Sequence, residues 1–237
     1  MSRRLTPELI DAPDAPAEEL REALGYLRFV NRRLGGTRAL LRCLEKWSRR
    51  WPRDRPVTLL DVGAGSGDVA QAARAWAAGR GFDLRVTVVD RHEETCRVAR
   101  ERVGGDEGIQ VVQADALTLT ERFPVGSFDY AHAGLFLHHL HDVEVLTALR
   151  VMDRLTRAGV VWCDLVRSPL WEGVVWLSSR GQGEMVRHDA VVSVQAGFTK
   201  AEALDRARRL DMTWLRWRRE PLLYRFTLAG EKPGAWA

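Results

Sequence analysis

The 237-residue chain reads as an α/β protein built on a mostly parallel sheet. Three observations point there. Residues 59–67, LLDVGAGSG, carry a short apolar run (Val57, Leu59, Leu60) into Asp61 and then into a turn of Gly63, Gly65 and Gly67. An amphipathic stretch from Val69 to Ala78 follows at once, which makes strand, tight turn and helix, the opening of a βαβ unit. Two further apolar segments, Leu84–Val89 and Ile109–Gln113, each run out into an acid, Asp90 and Asp115, and helical periodicity separates the strands. Strands that alternate with helices in this way pair in parallel through right-handed crossovers.

The elements follow in order. Residues 1–17 hold Pro7, Pro13 and Pro16 and read as an irregular arm. Glu18–Leu34 carries Leu20, Ala23, Leu24, Leu27, Phe29 and Val30 at helical spacing, and Gly35-Gly36 ends it. Thr37–Trp51 forms a second helix with Leu40, Leu41, Leu44 and Trp47 on one face, and Pro52 and Pro56 bracket a linker. These two helices, residues 1–55 with the arm, form a cap over the carboxyl edge of a sheet domain, residues 56–237. Asn31 and Arg32 at the end of the first helix either meet a carboxylate below them or lie on an ordinary helix surface. Beyond the third strand come a fourth strand ahead of AHAGLFLHHLHD (131–142), a helix at Asp142–Thr156, an apolar strand at Gly159–Leu165, and helices at Leu170–Leu177 and Phe198–Leu210. A helix-like segment begins at His188-Asp189, with Asp189 read as its N-cap. Met212–Trp217 and Leu222–Leu228 close the sheet as a hairpin around Pro221.

The glycine turn restricts the ligand. Gly63 and Gly65 let main chain lie against a bound molecule with no Cβ between them. The spacing G-x-G-x-G is one residue shorter than the dinucleotide fingerprint, and Asp61 brings a negative charge that suits an ammonium or sulfonium better than a pyrophosphate. Asp90, at the end of the second strand, can accept from two ribose hydroxyls, and Asp115 from an adenine amino group. A cationic amino-acid nucleoside satisfies all three acids.

LLDVGAGSGDVA (59–70), VTVVDRH (86–92), VVQADAL (111–117), SFDYAHAGLFLHHL (127–140) and GVVWCDLV (159–166) together resemble the class I S-adenosylmethionine-dependent methyltransferases. The resemblance implies a Rossmann-like fold of seven strands in the order 3-2-1-4-5-7-6, the last strand antiparallel, and S-adenosyl-L-methionine as cofactor. It implies a cofactor set of Asp61, Gly63, Ala64, Gly65, Gly67, Asp90, Arg91, Asp115, Ala116 and His132. Members that methylate amino groups of bases or of glutamine carry a motif such as N/D-P-P-Y after the fourth strand. Here Ala131-His132-Ala133-Gly134 stands in that place, which weighs against such an acceptor.

Transfer to a hydroxyl profits from a base, because a phenol attacks best as its anion. Candidates cluster in AHAGLFLHHLHD, where His132, His138, His139 and His141 fall within one loop; His138 leads as the base, although LHHL is common across this superfamily. Asp164 ends the fifth strand on the acceptor side, and His188 beside Asp189 is a further candidate, the two being too close in sequence to act readily as base and orienter. Trp171, Trp176 and Met185 either wall an apolar acceptor pocket or fill the core. The histidines lack a partner carboxylate at a defined helical spacing, so no metal is expected.

Composition excludes other classes. At 46% hydrophobic the chain buries an ordinary core. No apolar run is long enough to span a membrane, and the start has no apolar signal-peptide region. Cys43, Cys96 and Cys163 lie far apart without metal or redox spacing and are expected reduced, in a cytoplasmic protein. The net charge of +4 comes almost wholly from arginine, densest in RARRLDMTWLRWRR (206–219). That run can stack on nucleic-acid bases, but it reads better as a solvated face beside an alternating strand. The expectation is a methyltransferase acting on a small molecule, at a phenol or other hydroxyl. The alternatives are an RNA or protein methyltransferase using the arginine face, and a silent cofactor-binding scaffold.

Overall fold

The structure, a computed structural model, describes residues 2–12, 14–220 and 224–236. In chain order it holds α1 (Ala17–Arg33), α2 (Gly36–Trp47), β1 (Val57–Val62), α3 (Asp68–Ala78), β2 (Leu84–Asp90), α4 (Glu93–Val103), β3 (Ile109–Gln113) and β4 (Phe128–Gly134). There follow α5 (Asp142–Leu155), β5 (Thr156–Leu165), α6 (Pro169–Ser178), α7 (Glu184–Ala196), α8 (Lys200–Arg209), β6 (Arg216–Arg219) and β7 (Arg225–Glu231). The strands form one seven-stranded sheet in the expected order, β3-β2-β1-β4-β5-β7-β6. Strands β1 to β5 pair in parallel, and β7 runs antiparallel to β5 and β6. Among the described residues no helix is long and apolar enough to cross a membrane.

Apolar side chains on both faces explain the layers. Leu59, Val86, Val88, Tyr130 and Val161 pack on one face with Leu40, Leu44 and Trp47 of α2 and with α3 and α4. Leu60, Val62, Ala131, Val160 and Trp162 pack on the other with Leu149 and Met152 of α5 and Ala203 and Ala207 of α8. Strands covered on both faces need the near-continuous apolar runs that the sequence shows. Helix α8 starts where Thr199 and Glu202 cap each other's backbone N–H groups.

Of the two expected cap helices, α1 lines the cavity at the carboxyl edge of the sheet, whereas the apolar face of α2 packs on the sheet beside α3. Helix α7 was legible only from His188 onward, and Asp189 lies within it rather than at its start. Met212–Leu215 is a tight turn, not a strand: Asp211 takes a φ of +56, and Met212 N–H returns to the Ala207 carbonyl. The final strand begins at Arg225, and Pro221, Leu222 and Leu223 of the expected hairpin lie outside the described residues. The tryptophans of the arginine-rich run are turned to packing: Trp217 stacks on Phe226, and Trp214 packs on the core. Arg206 is itself buried between Phe198 and Asp142, which leaves no base-stacking ladder on this face.

Candidate active site

The carboxyl ends of β1, β2, β4 and β5 surround a cavity of about 220 Å³, which α1 roofs with Leu24, Tyr26, Leu27 and Val30. Its two sides differ chemically. One is lined by Gly63, Gly65, Asp90, Arg91, Asp115 and Ala116, all expected from the sequence. The other is lined by Leu135, Phe136, Leu165, Ala190, Tyr224 and Arg225. Glu8, Asp11, His138 and His139 also border the cavity.

On the first side, Gly63, Gly65 and Gly67 all take positive φ, the conformation for which glycine is needed. Gly63 has a second reason. A Cβ there would lie 2.3 Å from the Phe136 ring, so the protein's own aromatic occupies the space that the sequence suggested for a ligand. The N–H groups of Gly65 and His92 both donate to Asp90, at 3.1 Å each. Burial raises the Asp90 pKa, against those two hydrogen bonds, and the carboxylate keeps lone pairs free toward the cavity. Asp115 is exposed and accepts from the Leu117 N–H at 2.8 Å.

Asp61 and His132 do not line the cavity. They form a buried pair, His132 Nδ1 to Asp61 Oδ1 at 2.7 Å, with the side chains 2% exposed. Among the described residues Asp61 Oδ2 has no hydrogen-bond partner. Ala64 and Gly67 shape the turn from behind: Ala64 N–H donates to the Val89 carbonyl and Gly67 N–H to that of Ala64. Asn31 is not a plain surface residue, since it donates to Asp68 and accepts from Arg225, each at 3.3 Å; Arg32 is exposed and stands apart.

Arg225 carries no signal in the sequence beyond being one arginine among many. It is 1% exposed, and among the described residues it forms no ion pair and its Nε and Nη2 have no hydrogen-bond partner. Two nitrogens of a buried guanidinium left unpaired, with three N–H groups between them, are costly unless a ligand meets them.

On the second side the candidate bases separate. His138 Nδ1 lies 2.6 Å from Asp164 Oδ1, and the Asp164 carboxylate also accepts from the Trp162 indole at 3.0 Å and the Leu165 N–H at 2.8 Å. The other ring nitrogen, Nε2, faces Glu8 Oε1 at 3.3 Å. His139 Nδ1 pairs with Asp11 Oδ2 at 2.6 Å, and its Nε2 lies 3.8 Å from Glu8 Oε2. Burial alone would lower the His138 pKa, but the charges and hydrogen bonds of Asp164 and Glu8 outweigh it and push it up to about 10. His139 moves up against the same burial through Glu8 and Asp11. Burial would raise Glu8, Asp11 and Asp164, and the histidines hold all three below the usual carboxylate range.

His188 is not part of this cluster. It pairs with its neighbour Asp189 at 2.9 Å, contrary to the expectation for adjacent residues, and faces a separate surface hollow with Trp176, Arg180 and Arg187. A helical backbone lets one short carboxylate curl back to the preceding ring. Asp189 also accepts from Leu9 N–H at 2.7 Å and Ile10 N–H at 3.0 Å, so it holds the arm. The proposed acceptor wall is absent: Trp176 is exposed under Arg180, Met185 packs with Ala23 and Val186, and Trp171 backs Tyr224 from outside the cavity.

The arm was expected to be irregular, and it supplies the two acids that sequence spacing could not reveal. A short 3₁₀ turn at Leu9–Asp11 presents Asp11 to His139. Arg3 fixes the arm by donating to the carbonyls of His138 and Leu140, at 2.8 and 2.7 Å, and to that of Ala196 at 2.7 Å. Leu135, directly after β4, takes a φ of +53, a strained value for a branched residue, and such strain collects where a site must be shaped.

Residues 59–159 match a family model described as a methyltransferase domain. A demethylmenaquinone methyltransferase of Staphylococcus aureus is 32% identical over 117 residues, 48% of this chain and 46% of the relative. The chain thus spans about half the length of the curated relatives it matches. Among solved structures, the plantazolicin methyltransferase BamL superposes with a TM-score of 0.63 at 12% identity, over 87% of this chain and 88% of that one. PigF with S-adenosylhomocysteine superposes at 0.54 with 23% identity, over 78% and 53%. These likenesses establish the fold.

Proposed function

We propose that this chain, which belongs through residues 59–159 to the class I S-adenosylmethionine-dependent methyltransferase family, transfers a methyl group from S-adenosylmethionine to a hydroxyl oxygen of a small molecule. The observation that carries the reading is a single cavity. It joins the glycine turn and Asp90 to an apolar side ending at the Glu8–His138 pair.

The residues present fit that cofactor. Asp90 would accept from the ribose hydroxyls, and Asp115 with Ala116 would border the adenine. The unpaired N–H groups of the cavity-lining Arg225 suit the methionyl carboxylate. When bound, S-adenosylmethionine supplies an electrophilic methyl group on a sulfonium that is already a good leaving group. The protein's task is then alignment, worth up to about 7–11 kcal/mol as effective molarity.

His138 cannot serve as an empty base at neutral pH, because it already holds its proton. In this arrangement it donates from Nε2 to the acceptor oxygen, and Glu8 accepts from the hydroxyl. A hydroxyl gaining a methyl group becomes strongly acidic, so even a carboxylate of low pKa takes its proton. Leu135, Phe136, Leu165 and Tyr224 select an acceptor with an apolar body.

The test is incubation with S-adenosylmethionine and a panel of phenols, alcohols, amines and thiols, read by mass spectrometry and by the position of the new methyl group. Transfer to oxygen supports the proposal, and transfer to nitrogen alone overturns the hydroxyl assignment. Cofactor binding with no turnover on any acceptor would favour the scaffold alternative.

A further inference from the structure

We propose that Glu8, His138 and His139 form a binding site for one divalent first-row transition metal, such as Zn²⁺, at the acceptor side of the cavity. Their donor atoms lie within 4.8 Å of one another, and two histidines with one carboxylate is a donor set that such metals favour over Mg²⁺ or Ca²⁺. Spacing supports it. Two ligands about 2.0–2.1 Å from a tetrahedral ion stand roughly 3.3 Å apart. His138 Nε2 and Glu8 Oε1 are 3.3 Å apart, and His139 Nε2 and Glu8 Oε2 are 3.8 Å apart. The two rings lie 4.4 Å apart and only 35° from parallel, and each turns Nε2 toward the same carboxylate.

The groups behind the donors are equally specific. Each histidine binds a further carboxylate through Nδ1: Asp164 behind His138 and Asp11 behind His139, both at 2.6 Å. An outer carboxylate on the non-ligating nitrogen is the arrangement that fixes ring orientation and makes a metal-bound imidazole a better donor. Asp164 is in turn held by Trp162 and Leu165, and Glu8 by Ser193 at 2.6 Å. Ligation needs each Nε2 free of its proton, so binding would release the protons held there as the dication enters between the rings. All three residues line the cavity, which leaves a coordination position facing it. An acceptor hydroxyl bound there would be acidified by the metal and would lose its proton to water or buffer at the cavity mouth, so that Glu8, now a ligand, would no longer be its acceptor. That consequence rests on the methyltransferase reading, whereas metal binding itself does not.

The test uses the full chain, stripped with a chelator and titrated with Co²⁺ and then Zn²⁺. The expected result is one equivalent of Co²⁺ with visible d–d absorption, displaced by Zn²⁺. Glu8→Gln should abolish the band, and Asp11→Asn should weaken affinity about 10–100-fold by loosening His139. His188→Ala, at the separate hollow, should leave binding unchanged. If Glu8→Gln does not fold, as judged by circular dichroism, Asp11→Asn decides alone. Absence of the band in the wild-type chain overturns the site, and so does Co²⁺ affinity unmoved by these substitutions. Calorimetry with S-adenosylhomocysteine on the same stripped sample separates the two readings: binding there with no metal uptake sinks only the metal site.

Discussion

Replacing Asp164 with Asn should make the cost to stability depend on pH in a direction that the structure dictates. Asp164 is wholly buried and pairs with His138, whose pKa is about 10 in the folded chain against an ordinary value of 6.5. A group raised on folding stabilises fully below its unfolded value, and the contribution is lost as pH climbs through the folded value. At about 1.4 kcal/mol per pH unit, the contribution has a ceiling of roughly 5 kcal/mol. Breaking a buried pair by removing one partner costs about 3–5 kcal/mol. With metal chelated, the gap between wild type and Asp164→Asn should therefore be about 3–5 kcal/mol near pH 6.5 and fall to roughly 1 kcal/mol or less near pH 10. Urea unfolding at half-unit pH steps measures it. The raised thiols of Cys43 and Cys163 also destabilise the wild type at high pH; Cys43 is common to both chains and cancels, whereas Asp164 itself helps to raise Cys163, so that contribution narrows the gap in the same direction. A gap that stays level or widens with pH would refute the ion-paired His138.

Other substitutions test other parts of the site. Asp90→Ala should weaken S-adenosylhomocysteine binding by about 1–3 kcal/mol in calorimetry, through ribose hydroxyls left without an acceptor. Arg225→Met should weaken S-adenosylhomocysteine but not methylthioadenosine, which lacks the carboxylate; equal loss of both would remove the assigned partner. Gly63→Ala meets the Phe136 ring as well as a φ of +62, and should lower unfolding stability by about 1–3 kcal/mol; a neutral result would mean that Phe136 moves aside freely.

The sheet was legible because its signals are local. A run such as Leu59-Leu60-Asp61 states in a few residues that a buried strand ends at a polar edge, and the order of such runs leaves few topologies. Asp90, Asp115 and the paired histidines were found for the same reason. Glu8 and Asp11 were not, because they sit in a proline-bearing arm and meet His138 and His139 only through the fold. Arg225 was hidden by composition: nothing local separates a buried guanidinium from the many solvated ones. Met212 and Trp214 alternate as a strand would, yet the left-handed Asp211 turns that segment into a bend, and β6 starts only at Arg216.

The central claim is that the cavity between the glycine turn and the strand-end acids grips the adenosyl sulfonium. Titration of the purified chain with S-adenosylhomocysteine in a calorimeter tests it most directly. A saturable heat at one ligand per chain is expected, and no heat at any ligand concentration would contradict the claim.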